Sequence, residues 1–268
     1  MPEFETLLVA RGGRVTHVTL NRPEVRNAMS LAMVDELLAV LERAERDGSR
    51  AIVLRGAGGH FCSGGDVKDM GAAQARPGNG EDPIAGVNAR FGHLCAAYAG
   101  TGLPVVAVLE GAVMGGGFGL ACVADVAIAR ETALFRLPET GLGLVPAQIA
   151  PFLVERLGYS QAKRLAVTGG KIDAASALKL GLVHHVCDGE ESCGATLSQV
   201  LAEIRKGAPN AIAATKQLIA RARLEPASAL VEDAARIFAR AARSEEGAEG
   251  LTAFLEKRPA AWAREGEA

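Results

Sequence analysis

Along residues 1–205, apolar positions follow two alternating rhythms, one strand-like and one of helical spacing. Val15-Thr16-His17-Val18-Thr19-Leu20 has the period of a half-buried strand, and Asn21-Arg22-Pro23 breaks it. From Ser30 onward, Leu31, Val34, Leu38 and Leu41 keep helical spacing until Asp47-Gly48 stops the run. Ala51-Ile52-Val53-Leu54 and Val105-Val106-Ala107-Val108-Leu109 read as buried strands, and each leads into a glycine-rich segment. A helix is predicted from about Gly117 to Val123, then a strand at Val126-Ala127-Ile128-Ala129. Strand, glycine turn, helix, strand is used at least twice, which predicts an α/β core of similar units. Met70 to Asp82, rich in Ala, Gly and Pro, reads as a mobile surface loop.

Beyond Gly207 and Pro209 the strand signal fades. The alanine-rich stretches 210–223 and 228–242 are predicted helical, and Ser244-Glu245-Glu246 opens a final helix carrying Leu251 and Phe254. Such helices bury little surface alone, so they are expected to pack on the core or on another subunit. The organisation expected is a core over residues 1–205 and a helical oligomerisation region over 206–268.

Composition narrows the classes without choosing one. The chain has 268 residues, enough for a substantial core, and a net charge of −2, which argues against general nucleic-acid binding. No apolar run approaches the ~20 residues of a membrane span, and the acidic start lacks a secretory pattern. The five cysteines form no C-x-x-C pair, which fits buried thiols in a reducing cytoplasm. His184-His185 has no ligand partner at metal spacing, so no metal site is expected.

The chemistry concentrates in the two glycine segments, His60-Phe61-Cys62-Ser63-Gly64-Gly65-Asp66 and Gly111-Ala112-Val113-Met114-Gly115-Gly116-Gly117-Phe118-Gly119. Backbone without side chains can be approached closely, and two of its N–H groups converging on one carbonyl oxygen make an oxyanion hole. The second segment does not fit G-x-G-x-x-G, and Leu165 and Ile172 exclude a Walker loop around Gly170-Lys171. Cys62 reads as packing rather than as a nucleophile, because the sequence marks no clear histidine or acid partner for it. Asp125, between a helix and a strand, sits where a carboxylate usually caps backbone groups.

These residues carry a resemblance. The pieces are Asn21-Arg22-Pro23 with Asn27-Ala28, Phe61 through Asp66, Pro104 through Gly117, Asp125 through Ala129, Phe135-Arg136-Leu137-Pro138-Glu139, Thr168-Gly169-Gly170, Ala177 through Val183, and Phe254 through Arg258. In this order and spacing the chain resembles the enoyl-CoA hydratase/isomerase (crotonase) superfamily over essentially its full length. The resemblance implies a spiral of repeated ββα units with a C-terminal helical trimerisation region, assembled as a homotrimer or a dimer of trimers. It also implies stabilisation of a thioester enolate on an acyl-CoA substrate, with no separate cofactor, since coenzyme A is part of that substrate. Under it, the N–H groups of Gly65 and Gly116 form the oxyanion hole. Val25, Ala28, Ser63, Asp66 and Val67 fall where the family wraps CoA, with Gly65 and Pro138 in the same set. Phe254 and Lys257 fall where a neighbouring subunit reaches the CoA.

The acid–base residues depart from the family's best-known pattern of two glutamates. One is present as Glu139; the other position holds Gly119. Glycine costs a helix about 1 kcal/mol relative to alanine, so Gly119 suggests that space is wanted there, as for a bulky or branched acyl group. Three readings stay open: hydration of an α,β-unsaturated acyl-CoA, Δ3,Δ2-isomerisation by a single glutamate, and non-catalytic acyl-CoA binding. The segment Gly141 through Phe152 tilts the choice to hydration. It is similar to the branch that hydrates branched glutaconyl-type CoA esters in leucine and acyclic-terpene breakdown, most of all to isohexenylglutaconyl-CoA hydratases. Arg136 and Gln148 are candidates to meet a second carboxylate on such a substrate.

Overall fold

The computed structural model describes residues 4–75 and 82–264. The chain opens with β1 (Leu7–Gly12) and β2 (Val15–Leu20), an antiparallel pair. Then come α1 (Leu31–Arg46), β3 (Ala51–Gly56), α2 (Val67–Gln74), α3 (Pro83–Gly100), β4 (Val105–Leu109), β5 (Ala112–Met114), α4 (Gly116–Val123) and β6 (Val126–Arg130). β7 (Leu134–Arg136), α5 (Ala150–Thr168), β8 (Lys171–Asp173), α6 (Ala174–Lys179), β9 (His185–Cys187) and α7 (Glu190–Lys206) complete the strand-bearing part. Three helices follow, α8 (Pro209–Ala222), α9 (Ala227–Ala242) and α10 (Glu245–Leu255).

Among the described residues, one sheet runs β1-β2-β3-β4-β6-β9, parallel from β2 onward, and a second runs β5-β7-β8. The second is extended by isolated parallel bridges, Cys62 to Val113 and Met29 to Gly65. Each turn of the chain therefore gives one long strand to the first sheet, a short extended segment to the second, and a helix. β2, Met29 and α1 make one such unit; β4, β5 and α4 make another; β6, β7 and α5 a third. This is the crotonase-like spiral of ββα units with a helical C-terminal region.

The burial pattern explains which runs were legible. β4 is buried at every position, as an interior parallel strand must be. Val53, Val106 and Ile128 on one face of the large sheet pack against Cys193, Leu197 and Val200 of α7, while the other face meets α1, α3 and α4. In β2 the buried face is Thr16, Val18 and Leu20, and Thr16 keeps its hydroxyl satisfied 2.8 Å from Ser49 Oγ. The α1 stripe is rotated from the expected one: Met33, Val34, Leu37, Val40 and Leu41 are buried, whereas Leu31 and Leu38 are only half-buried. Its N-terminus is capped twice, by Ser30 Oγ and by Asp69 Oδ2, which accepts from Leu31 N at 2.7 Å.

The expected loop at Met70–Asp82 is corrected. Val67–Gln74 is helical, and Asp82 accepts from Ile84 N to cap α3; residues 76–81 lie outside the described residues. The C-terminal helices form where expected and are tied to the rest. Lys216 of α8 bonds Leu103 O at 2.7 Å and Asp125 Oδ2 at 2.5 Å, and Asp125 also accepts from Val105 N, the capping role its position suggested. Among the described residues, no helix is long and apolar enough to cross a membrane.

Candidate functional site

Cys62, Val113 and Phe135 stand level in neighbouring parallel segments of the second sheet, all fully buried. Three residues beyond the first two come Gly65 and Gly116, and four beyond Phe135 comes Glu139. The carboxyl ends of adjacent parallel strands are where open α/β sheets present ligand sites, because the chain must leave the ladder there. The level ends bring together residues 74 apart in sequence.

Hydrogen bonding sets the two glycine segments rigidly. Cys62 N donates to Ala112 O and Met114 N to Cys62 O, each at 2.9 Å; Met29 N and Asp66 N close the ladder on the other side. Gly115 adopts φ 48°, ψ −115°, a conformation open only to glycine, and lets the chain turn from β5 directly into α4. A Cβ on Gly117 would lie 2.6 Å from Cys62 O, so only glycine allows α4 to seat on this segment. Two donors remain. Among the described residues, neither Gly65 N nor Gly116 N donates to a protein acceptor. Gly116 N–H is the first of α4, where the helix supplies no partner and its dipole favours negative charge.

Glu139 begins a short 3-10 turn, Glu139–Leu142, directly after Pro138. Its Oε1 lies 3.0 Å from the place a Cβ on Gly115 would take, against the residue preceding the Gly116 donor. Its Oε2 is buried with no hydrogen-bond partner among the described residues. Burial raises the Glu139 pKa, opposed by its own backbone N–H. A partly buried carboxyl holds its proton more readily and is suited to exchanging it.

The expected CoA residues of the first part of the chain do gather beside Gly65. Ser63 Oγ donates to Val25 O at 3.1 Å, and Ser63 N to Arg26 O. Arg22 bonds both Ala28 O and Asp66 Oδ2, the latter at 2.8 Å. Desolvation raises the Asp66 pKa, but the Lys68 N–H and the Arg22 guanidinium outweigh it and hold the carboxyl low. Asn27, fully buried and left-handed, locks this loop by donating to Ala57 O and His60 O. Val67 is exposed at the start of α2. Phe254 and Lys257 are not joined to this group by any hydrogen bond or ion pair of the described residues; Phe254 lies in the last turn of α10 and is exposed, and Lys257 follows the helix end.

One expectation is corrected. The position of the missing glutamate is not open: a Cβ on Gly119 would meet Ile149 Cγ2 at 2.4 Å and Phe91 Cζ at 3.3 Å. Gln148, one of the two candidates for a second substrate carboxylate, donates to Asn88 Oδ1 of α3 at 2.7 Å. Arg136 is exposed in β7. His60, His184 and Cys62 have structural roles. His60 Nδ1 accepts from Ala112 N, His184 Nδ1 from Ala127 N, and burial pushes the Cys62 thiol up to about 11.

Sequence reasoning missed three contributors. Phe91 and Ile149 line the first turn of α4 from α3 and from the start of α5; a lone phenylalanine in an alanine-rich helix was the available signal for the first. Arg156, the third, reaches from α5 to Ala121 O, Cys122 O and Ala124 O at the end of α4. Nothing in its sequence surroundings marks it.

Known proteins share this fold and sequence. The family model described as enoyl-CoA hydratase/isomerase matches residues 10–265. An enoyl-CoA hydratase/isomerase structure from Marinobacter aquaeolei is 51% identical with a TM-score of 0.94, covering 97% of this chain and 100% of that one. Pseudomonas aeruginosa AtuE is 50% identical with a TM-score of 0.93, over 97% and 100% of the two chains. The 2,3-dehydroadipyl-CoA hydratase of Escherichia coli (strain K12) is 32% identical over 254 residues, 94% of this chain and 96% of that protein. The fold and these matches agree along nearly the whole sequence: the chain belongs to the enoyl-CoA hydratase/isomerase family.

Proposed function

We propose that the chain is an enoyl-CoA hydratase, adding water to the α,β double bond of an acyl-CoA. The observation that carries this reading is the Glu139 carboxylate, with its buried unpaired oxygen, set against Gly115 beside the unpartnered Gly116 N–H. The thioester oxygen sits between the N–H groups of Gly65 and Gly116. Donors aimed at charge that develops only in the transition state lower its barrier, and one such donor is worth about 10²–10³ in rate. Glu139 takes a proton from water as the oxygen bonds to Cβ, and the electron pair of the double bond moves onto the thioester oxygen. The names of similar proteins, hydratases among them, support the reading.

For the acyl chain we propose a branched, glutaconyl-type ester, on the likeness of the Gly141–Phe152 segment to that branch of the family. A Δ3,Δ2-isomerase remains the second reading, because a single carboxylate suffices to move a proton between the α and γ carbons. The deciding experiment is turnover of crotonyl-, 3-hexenoyl-, 3-methylglutaconyl- and isohexenylglutaconyl-CoA in ¹⁸O water. Label in a 3-hydroxyacyl product is the expected result. Unlabelled 2-enoyl product from 3-hexenoyl-CoA would replace hydration by isomerisation, and binding without turnover would leave a non-catalytic acyl-CoA binder.

Assembly completes the proposal. Phe238, Leu251, Phe254 and Leu255 are each more than half exposed on α9 and α10, and the first two line a cleft of about 680 Å³ between the C-terminal helices. Apolar surface on this scale suits burial against further copies, as a trimer or a dimer of trimers. With Phe254 and Lys257 then serving a neighbour's CoA, Lys257→Ala is expected to raise KM for the CoA ester roughly 3–10-fold with kcat little changed, the loss of one exposed phosphate contact. Steady-state kinetics checks it, and an unchanged KM removes Lys257 from the CoA site.

A further inference from the structure

In the two-glutamate pattern of the resemblance, the second carboxylate falls at Gly119 of α4, one turn beyond the Gly116 donor. That place is filled. The Ile149 Cγ2 lies 2.4 Å, and its Cβ 3.4 Å, from where a Gly119 Cβ would be. The branch at Cβ leaves little slack, since Cγ2 moves only if χ1 changes. Ile149 is itself 3% exposed and held by its neighbours, with its carbonyl accepting from Leu153 N and the adjacent Gln148 bonded to Asn88. The tip of the Phe91 ring is 3.3 Å from the Cβ positions of both Gly116 and Gly119. One apolar wall therefore runs from the oxyanion donor to the place of the absent acid. Burial and the Glu139 backbone N–H are what act on Glu139; no charged side chain of the described residues shifts it.

Resting on the hydratase reading, we propose that Ile149 and Phe91 set the acid–base complement of this site: they fill the place of a second carboxylate, so Glu139 alone carries the proton in both directions. The water O–H bond breaks toward Glu139 as the C–O bond forms at Cβ. The resulting carboxylic acid then returns that same proton to Cα, the enolate pair collapses to the thioester, and the carboxylate is regenerated. One water is added and nothing is oxidised. Ile149 is on this account a positioning residue that determines the reaction's acid–base count.

The test is a cycle of Gly119→Glu, Ile149→Ala and the double variant, read by thermal unfolding and by kcat/KM against pH with crotonyl- and 3-methylglutaconyl-CoA. Gly119→Glu is expected to lower Tm by roughly 5–15 °C through overpacking and a buried charge. Adding Ile149→Ala should recover part of that loss instead of adding to it. The wild type should show one ionisation on the acid side of kcat/KM, and the double variant two, because neighbouring carboxylates titrate as a coupled pair. Should Gly119→Glu yield no folded protein, Gly119→Ala, which adds only the clashing Cβ, carries the same cycle. Additive Tm losses, or a Gly119→Glu protein as stable as wild type, would overturn the proposal. So would two carboxylate ionisations in the wild type. Absence of turnover with every ester would defeat the hydratase reading, while the Tm cycle still decides whether Ile149 fills the position.

Discussion

Glu139→Gln is expected to lower turnover by about 10²–10⁴-fold, the usual contribution of one general acid–base group, while raising the melting temperature at pH 8. Both effects come from the same placement. The Glu139 carboxyl is partly buried, one of its oxygens has no partner among the described residues, and burial raises its pKa. A carboxyl whose folded pKa is raised above the unfolded value supports the fold below the unfolded pKa. That support is lost as pH rises through the folded pKa, where the charge must be held in a partly desolvated site. The amide carries no charge, so the variant's Tm advantage should be present at neutral and alkaline pH. It should shrink toward zero as pH falls to the ordinary carboxylate range near 4.5. Activity follows the opposite course. The base form starts the reaction, so wild-type kcat/KM should fall as pH drops through a pKa above 4.5. Differential scanning calorimetry and kinetics across pH 4–9 read both arms (a range of about five units spanning carboxylate titration). A Glu139→Gln protein that is inactive yet no more stable at pH 8 would show that the carboxylate is not a desolvated charge. One that stays active would remove Glu139 from the mechanism.

The spiral was largely legible because its information is local. β3, β4 and β6 are apolar runs bounded by turn residues, and the elements found there match the reading to within two residues. The glycine segments were legible for a related reason: side chains are absent where backbones meet, as Gly117 on Cys62 demonstrates. α3 was not legible. Its Ala- and Gly-rich sequence has few large apolar residues, and only Leu94, Cys95 and Tyr98 of it are buried. The wall around Gly119 was misread for a deeper reason. A glycine in a helix says that no side chain fits, but not whether solvent, substrate or another side chain takes the space. Phe91 and Ile149 come from two other elements, and their meeting at Gly119 exists only in three dimensions.

A long-range dependence of the same kind makes Arg156→Ala the largest stability loss expected outside the glycine segments. α4 is eight residues long, ends in a sheet-bound loop, and has no side-chain cap of its own. Its last carbonyls need donors, and the Arg156 guanidinium supplies them to Ala121, Cys122 and Ala124 while also touching His184 Nε2 at 3.2 Å. Burial lowers the Arg156 pKa, yet a guanidinium stays charged and places its cation where the helix dipole is negative. Removing it orphans buried carbonyls, each at about 1–3 kcal/mol, for an expected total of roughly 3–5 kcal/mol, as when one partner of a buried charged contact is deleted. Lysine should rescue poorly, because a point charge cannot serve three carbonyls from one planar fork. The effect should also reach the chemistry. α4 carries the proposed Gly116 donor at its other end, so a frayed helix blurs the oxyanion position and should lower kcat while leaving KM for the CoA ester nearly unchanged. Urea unfolding gives the first quantity and steady-state kinetics the second. A Lys variant with wild-type stability would show that charge alone, not the fork, holds the helix end. An Ala variant that is destabilised with kcat intact would uncouple the cap from the site.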